Sequence, residues 1–152
     1  MKSLTLYAPA CTTELFKTNI IPYVGRGGCV EQLAIFNLKD KVERDDNVAK
    51  LYHKSLLYLV SEAFESKRKQ PLLGMDKFIE KDADIRVFLG KAMAQRSQTP
   101  TSVYSVGGVE VSLKSKSTSH GGFDNDEDTL NSTLRIITGQ TDLKKEFESN
   151  DS

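Results

Sequence analysis

Apolar residues in this chain fall in short blocks whose spacing changes along its length. Leu4 to Tyr7, with Ala8, form a run stopped by Pro9, which predicts a short buried strand. A helix should follow, because Leu15, Phe16, Ile20, Tyr23 and Val24 fall on one stripe and Thr12 or Thr13 can cap its N-terminus. Pro22 bends or ends it, and Gly25, Gly27 and Gly28 supply a turn. Leu33 to Leu38 is a second, mostly apolar run, so the first part of the chain reads as strand, helix, strand, a βαβ unit whose strands should be adjacent or near neighbours and parallel.

The strongest helical pattern starts near Asn47, where Val48, Tyr52, Leu56, Leu59, Val60, Ala63 and Phe64 recur at helical spacing. Leu51, Leu57 and Tyr58 widen the stripe, so this helix should pack over the sheet on more than one side. Lys67, Arg68 and Lys69 suit the negative end of its dipole, and Pro71 ends it. Met75 to Arg96 predicts one broken helix or two short ones, with Phe78, Ile79, Ile85, Phe88, Leu89, Ala92 and Met93 inward and Asp84 as a cap. From Thr101 the period becomes two: Val103, then Val109, Val111 and Leu113 around Gly107 and Gly108, which predicts a hairpin or a bent strand. A last helix follows Phe123, with acidic residues in its first turn, a stripe of Leu130, Leu134 and Ile137, and Gly139 as its stop. The expected fold is α/β, a partial and mostly parallel sheet with flanking helices in the order β-α-β-α-α-β-α. One domain is expected over residues 1–141 and a frayed tail over 142–152.

Length and charge narrow the function. A chain of 152 residues can bury a real core, roughly 70% of the surface it exposes when unfolded. Lys plus Arg number 21 and Asp plus Glu number 21, so no basic surplus favours nucleic acid or an anionic bilayer. Two cysteines, Cys11 and Cys29, form neither a disulfide framework nor a CxxC pair, and read as reduced thiols. The N-terminal segment is too short and broken for a signal peptide, and no run of 18 apolar residues occurs, so a cytoplasmic protein is expected.

Several local patterns have plain structural explanations. Asp124, Asp126 and Asp128 imitate the start of a calcium loop, but Thr129 stands where its glycine should be and Arg135 where its closing glutamate should be; helix capping explains the run better. The glycines at 25, 27 and 28 follow a helix, whereas a phosphate cradle precedes one. His53 lies at the edge of a helical apolar stripe. No cofactor or metal is expected.

His120 is different. It stands in Ser119-His120-Gly121-Gly122-Phe123, after a strand and before a helix, and Asp40 in FNLKDKV follows the end of a predicted parallel strand. A carboxylate and an imidazole offered from the same edge of a sheet make the acid and base of a Ser-His-Asp triad. At these residues the chain resembles the C-terminal half of an α/β-hydrolase-fold protein of the serine esterase and lipase type, over most of residues 3 to 138. FNLKDKV is similar to the family's strand-to-acid turn and STSHGGF to its strand-to-histidine turn. The resemblance implies Asp40 as acid, with Asp45 and Asp46 as competitors, and His120 as base. The nucleophile elbow GxSxG is absent, as are the strands and oxyanion loop that would precede it. Cys11 follows a strand and precedes a helix but lacks flanking glycines, so a structural thiol is the simpler reading.

The chain is therefore expected to be the C-terminal portion of a hydrolase-like protein acting on esters or amides, inactive alone, with its serine supplied by another chain or an upstream segment. The alternative is a small non-catalytic α/β interaction domain. Under either, the edge near Leu4 to Tyr7 should lack a neighbouring strand and favour self-association or a partner that completes the sheet.

Overall fold

In a computed structural model of the chain, the residues described are 1–25, 27–45, 55–64, 69–90, 101–106 and 113–148. Three strands form one sheet in the order β1 (Ser3–Tyr7), β2 (Gln32–Leu38), β3 (Thr101–Val106). β1 and β2 are parallel as expected, with Ser3 opposite Gln32 and Tyr7 opposite Phe36. β3 corrects the expectation of a mostly parallel sheet. It pairs antiparallel with β2, Leu38 opposite Thr101 and Leu33 opposite Val106, so the sheet is mixed. The physical reason is the path between them. The chain leaves β2 at Leu38 and re-enters the sheet opposite Leu38, and a strand that returns at the end where its neighbour finished must run the other way.

The helices are short: α1 (Thr13–Asn19), α2 (Asp40–Asp45), α3 (Leu56–Leu59, continuing into a wider π turn at Val60–Phe64), α4 (Asp76–Ile79), α5 (Ala83–Leu89) and α6 (Glu127–Thr138). The element order therefore has more helices between β2 and β3 than the order read from the sequence. Asn47 and the rest of the first half of the predicted long helix lie outside the described residues, as does the Gly107-Gly108 turn. Thr12 caps α1, its hydroxyl accepting from the Leu15 N–H at 3.2 Å. Asp82, rather than Asp84, caps α5 by accepting from the N–H groups of Asp84 and Ile85.

β2 is buried along Leu33 to Leu38 and carries a core on each face. Leu33 and Ile35 meet Phe16 of α1, Ile79 of α4, Ile85 and Leu89 of α5, and Tyr104 of β3. Ala34, Phe36 and Leu38 meet Leu57 and Tyr58 of α3, Phe123, and Ile136 of α6. Residues 71–75 cross the end of the sheet between these layers and hold the turn after β1: the Leu73 N–H donates to the Cys11 carbonyl and the Gly74 N–H to the Pro9 carbonyl, both at 2.8 Å. Gly74 is required there, because a Cβ would meet Leu57 Cδ1 at 2.5 Å and the Ala8 carbonyl carbon at 2.6 Å.

Residues 113–118 keep the period of two, with Leu113, Ser115 and Ser117 buried and Lys114, Lys116 and Thr118 exposed. Their backbone partners are side chains of α6. The Ser132 hydroxyl accepts from the Lys114 N–H and donates to the Lys114 carbonyl, each at 2.8 Å, and Asp126 accepts from the Lys116 N–H at 2.9 Å. Asp126 is also the N-cap of α6. On the opposite flank Asn131 holds Phe147 through both its N–H and its carbonyl, and Arg135 bonds the Thr141 carbonyl and Glu146. α6 thus turns a polar face inward, with Thr129, Asn131 and Ser132 buried beside Ile136. Of the predicted stripe, Leu130 is partly buried, while Leu134 and Ile137 are 36% and 56% exposed.

Ser132→Ala leaves the Lys114 N–H and carbonyl without their partner, and removing one side of a buried bond costs about 1–3 kcal/mol. Urea unfolding followed by circular dichroism should show the loss, while Thr138→Ala, an exposed hydroxyl bonded only within α6, should change stability much less.

Candidate functional site

The carboxyl end of the parallel β1–β2 pair is where an open α/β sheet gathers reactive groups. Here β2 leads after one residue into α2, so Asp40 opens a helix rather than sitting in a loop, and Asp40 and Glu43 share one face of it at a spacing of three.

Glu43 is the acid that meets His120. His120 begins a tight turn, His120–Gly122, between the extended segment and α6, and its Nε2 lies 3.1 Å from Glu43 Oε2. The Glu43 side chain is 1% exposed and that of His120 is 16% exposed. The same carboxylate oxygen accepts a hydrogen bond from the Ser55 hydroxyl, and the Ser55 N–H donates to the Glu43 carbonyl at 2.9 Å. Glu43 Oε1 is buried and has no hydrogen-bond partner among the described residues. Burying a carboxylate is costly unless it is paired, and the imidazole and hydroxyl at Oε2 supply that pairing.

Asp40 takes other partners. The Tyr58 hydroxyl donates to Oδ1 at 2.7 Å, Arg44 bonds Oδ2 at 2.7 Å, and Lys77 lies 3.9 Å from Oδ1. The Lys77 ammonium sits 3.8 Å from the centre of the Tyr58 ring, so cation and phenol stack beside the carboxylate. Partial burial pushes the Asp40 carboxyl up, but the bonds from Tyr58 and Arg44, with the charges of Arg44 and Lys77, more than offset this and hold it below its ordinary value. Burial, then the bond to Asp40 and its charge, push Tyr58 up to about 12.

The expected pair is thus divided. His120 and Asp40 both stand at the carboxyl end of the sheet, yet His120 is not among the hydrogen-bond and ion-pair partners of Asp40. Asp45 is exposed, and Asp46 and His53 lie outside the described residues. Glu43, Ser55 and Lys77 have no place in the sequence reading and Tyr58 enters it only as part of a helical stripe; the signal that could have found Glu43 is its helical spacing from Asp40, visible once α2 is known to start at Asp40. The connectivity also differs from a triad. In a triad the histidine stands between nucleophile and acid, whereas here the acid stands between Ser55 and His120, so among the described residues Ser55 is held by a carboxylate rather than by an imidazole.

Cys11 is half-buried, and burial raises its thiol above the ordinary value, against a smaller lowering by a backbone bond. It is thus less of a thiolate than a free cysteine. Cys29 is exposed. Among the described residues no three His, Cys, Asp or Glu side chains stand close enough to hold a metal ion, and no helix is long and apolar enough to cross a membrane. A shallow groove of about 470 Å³ lies between α1 and α5, lined by Lys17, Ile21, Asp84, Val87 and Phe88, on the side of the sheet away from α3 and α6.

Tyr58→Phe removes a bond whose net worth is about 1 kcal/mol at neutral pH. Because folding raises the Tyr58 pKa from 10.0 to about 12, that contribution is complete below pH 10 and fades as pH rises toward 12. Folding lowers the Asp40 pKa, so its contribution holds above the ordinary carboxylate value of 3.8 and fades as pH falls through the lowered one. Denaturant unfolding of wild type and Tyr58→Phe at neutral and alkaline pH should show curves that converge above pH 10. Comparison with protein families, with curated proteins and with solved structures gives no match to this chain.

Proposed function

We propose that this chain supplies the acid and base of a hydrolytic centre for esters or amides, with His120 as general base and with the nucleophile contributed from outside the described residues. The observation that carries this reading is the contact of His120 Nε2 with Glu43 at the carboxyl end of a parallel strand pair. A buried carboxylate beside an imidazole fixes its tautomer and stabilises the imidazolium that forms when a hydroxyl proton is taken. Glu43 performs that task in this proposal. Asp40, one helical turn earlier, fixes Tyr58, Arg44 and Lys77 around the same helix and so positions Glu43. The 16% exposure of the His120 side chain leaves an approach from solvent.

The second reading, a non-catalytic interaction domain, is favoured by a different observation: β1 pairs only with β2 among the described residues. The two are separated by labelling the chain in its native assembly. The tagged protein is recovered from its source cells with whatever copurifies and treated with a fluorophosphonate ester, which marks activated serines. Under the hydrolase reading an assembly component is labelled, and His120→Ala slows labelling on the order of 10²–10⁴-fold, the usual contribution of a general base. Glu43→Gln slows it less, and Lys2→Ala, at an exposed position just before β1 and at the end of β2 away from the site, leaves it unchanged. Absence of labelling, or labelling indifferent to His120→Ala, would overturn the hydrolase reading in favour of the interaction domain.

A further inference from the structure

Among the described residues β1 is an edge strand, and two hydrogen bonds fix which of its groups face outward. The Gln32 N–H donates to the Lys2 carbonyl at 3.0 Å, and the Ala8 N–H donates to the Phe36 carbonyl at 2.7 Å. In a parallel ladder the residues bonded to one neighbour alternate, so the even positions of β1 serve β2, and the N–H and carbonyl groups of Ser3, Thr5 and Tyr7 point away from it. The strand Ser3-Leu4-Thr5-Leu6-Tyr7 contains no charge, no proline and no glycine, and so has none of the usual devices that protect a sheet edge.

α6 adds an apolar wall beside this edge. The Tyr7 hydroxyl is 2.7 Å from the Thr133 hydroxyl, and the Tyr7 ring stacks on Phe123 at 5.7 Å, so α6 and the turn before it lie over the end of β1. Leu130, Leu134 and Ile137 surround Thr133 at helical spacings of three and four, on the flank turned away from buried Ser132 and Ile136. Leu134 and Ile137 are the exposed stripe described above. A helix that bonds the strand beneath it with Thr133 and offers leucine and isoleucine beyond it is shaped to cover a further strand.

We infer that this surface binds a second copy of the chain, β1 against β1 in antiparallel register about a two-fold axis through Thr5. The pairing is self-complementary. Thr5 faces Thr5 of the other copy, and Ser3 faces Tyr7, so every outward N–H meets an outward carbonyl. A two-fold axis normal to the sheet puts both α6 helices on the same face, where the two Leu130-Leu134-Ile137 stripes cover the joined strands and each other. Charge places no obstacle, since Lys plus Arg and Asp plus Glu both total 21 and β1 is uncharged. This surface does not involve His120 or Glu43.

Sedimentation velocity and light scattering of the purified full chain between micromolar and hundred-micromolar concentration test the inference, with backbone amide exchange measured at both ends. A dimer of twice the 16.9 kDa chain mass is expected. The amides of Thr5 and Tyr7 should be protected at high concentration and exchange on dilution, while those of Leu4 and Leu6, which serve β2, stay protected throughout. Thr5→Pro removes an outward N–H without touching the inner ladder, and Ile137→Lys charges the stripe at an exposed position. Each should weaken dimerisation by at least about tenfold, equal to about 1.4 kcal/mol. Should Thr5→Pro fail to fold, Ile137→Lys and the exchange pattern decide. A monomer at every concentration overturns the inference. So does a dimer that withstands Ile137→Lys with Thr5 and Tyr7 amides unprotected, because it would use another surface.

Discussion

The burial of β2 on both faces governs this molecule. A strand that is solvent-free from Leu33 to Leu38 needs a strand on each side for its backbone and a layer of helix on each face for its side chains. β1 and β3 supply the first. α1, α4 and α5 on one face, and α3 and α6 on the other, supply the second. Asn37 is its one buried polar side chain, and its amide donates to the Leu73 carbonyl at 2.9 Å. That bond ties the loop at 71–75 to the central strand, and the loop in turn holds the turn after β1. The carboxyl end of the sheet is therefore rigidly bracketed, and the polar groups that follow β2 are presented from a fixed platform.

On that platform two carboxylates one helical turn apart have been given different environments. Asp40 remains partly exposed among a phenol, a guanidinium and an ammonium, an arrangement that favours its charged form. Glu43 is enclosed, with an imidazole and a hydroxyl sharing one oxygen. The difference follows from depth. Cations on long side chains reach a site near solvent at little cost, whereas a deep site admits only short groups already fixed by the fold, here Ser55 at the start of α3 and His120 in its tight turn. Among the described residues no lysine or arginine pairs with Glu43, so the acid is left to orient the histidine.

α6 shows how a helix can be amphipathic and yet face inward with its polar side. Ser132, Asp126 and Thr129 stand in for a neighbouring strand by satisfying the backbone or side chains of residues 114–116. Asn131 does the same for Phe147. Once those bonds commit the polar face to the protein, geometry leaves Leu134 and Ile137 outside. Buried backbone groups without partners cost more than exposed leucines, so hydrogen-bond satisfaction sets the rotation of this helix.

Much of the fold was legible in the sequence. The mostly apolar run Leu33 to Leu38 announced a strand, the spacing from Leu4 to Leu38 announced a parallel neighbour, and Thr12 and Gly139 marked their helix ends, because each of these depends on local chemistry and period. His120 was found because its turn chemistry sits between two periodic segments. The direction of β3, the outward stripe of α6 and the choice of Glu43 over Asp40 as the partner of His120 were decided by the tertiary structure. Each depends on where a distant segment arrives: Thr101 opposite Leu38, Lys114 beside Ser132, His120 77 residues beyond Glu43. Periodicity states which face of an element is apolar. Only the closing of long-range backbone hydrogen bonds and the enclosure of a carboxylate state which face is turned inward and which acid the histidine meets.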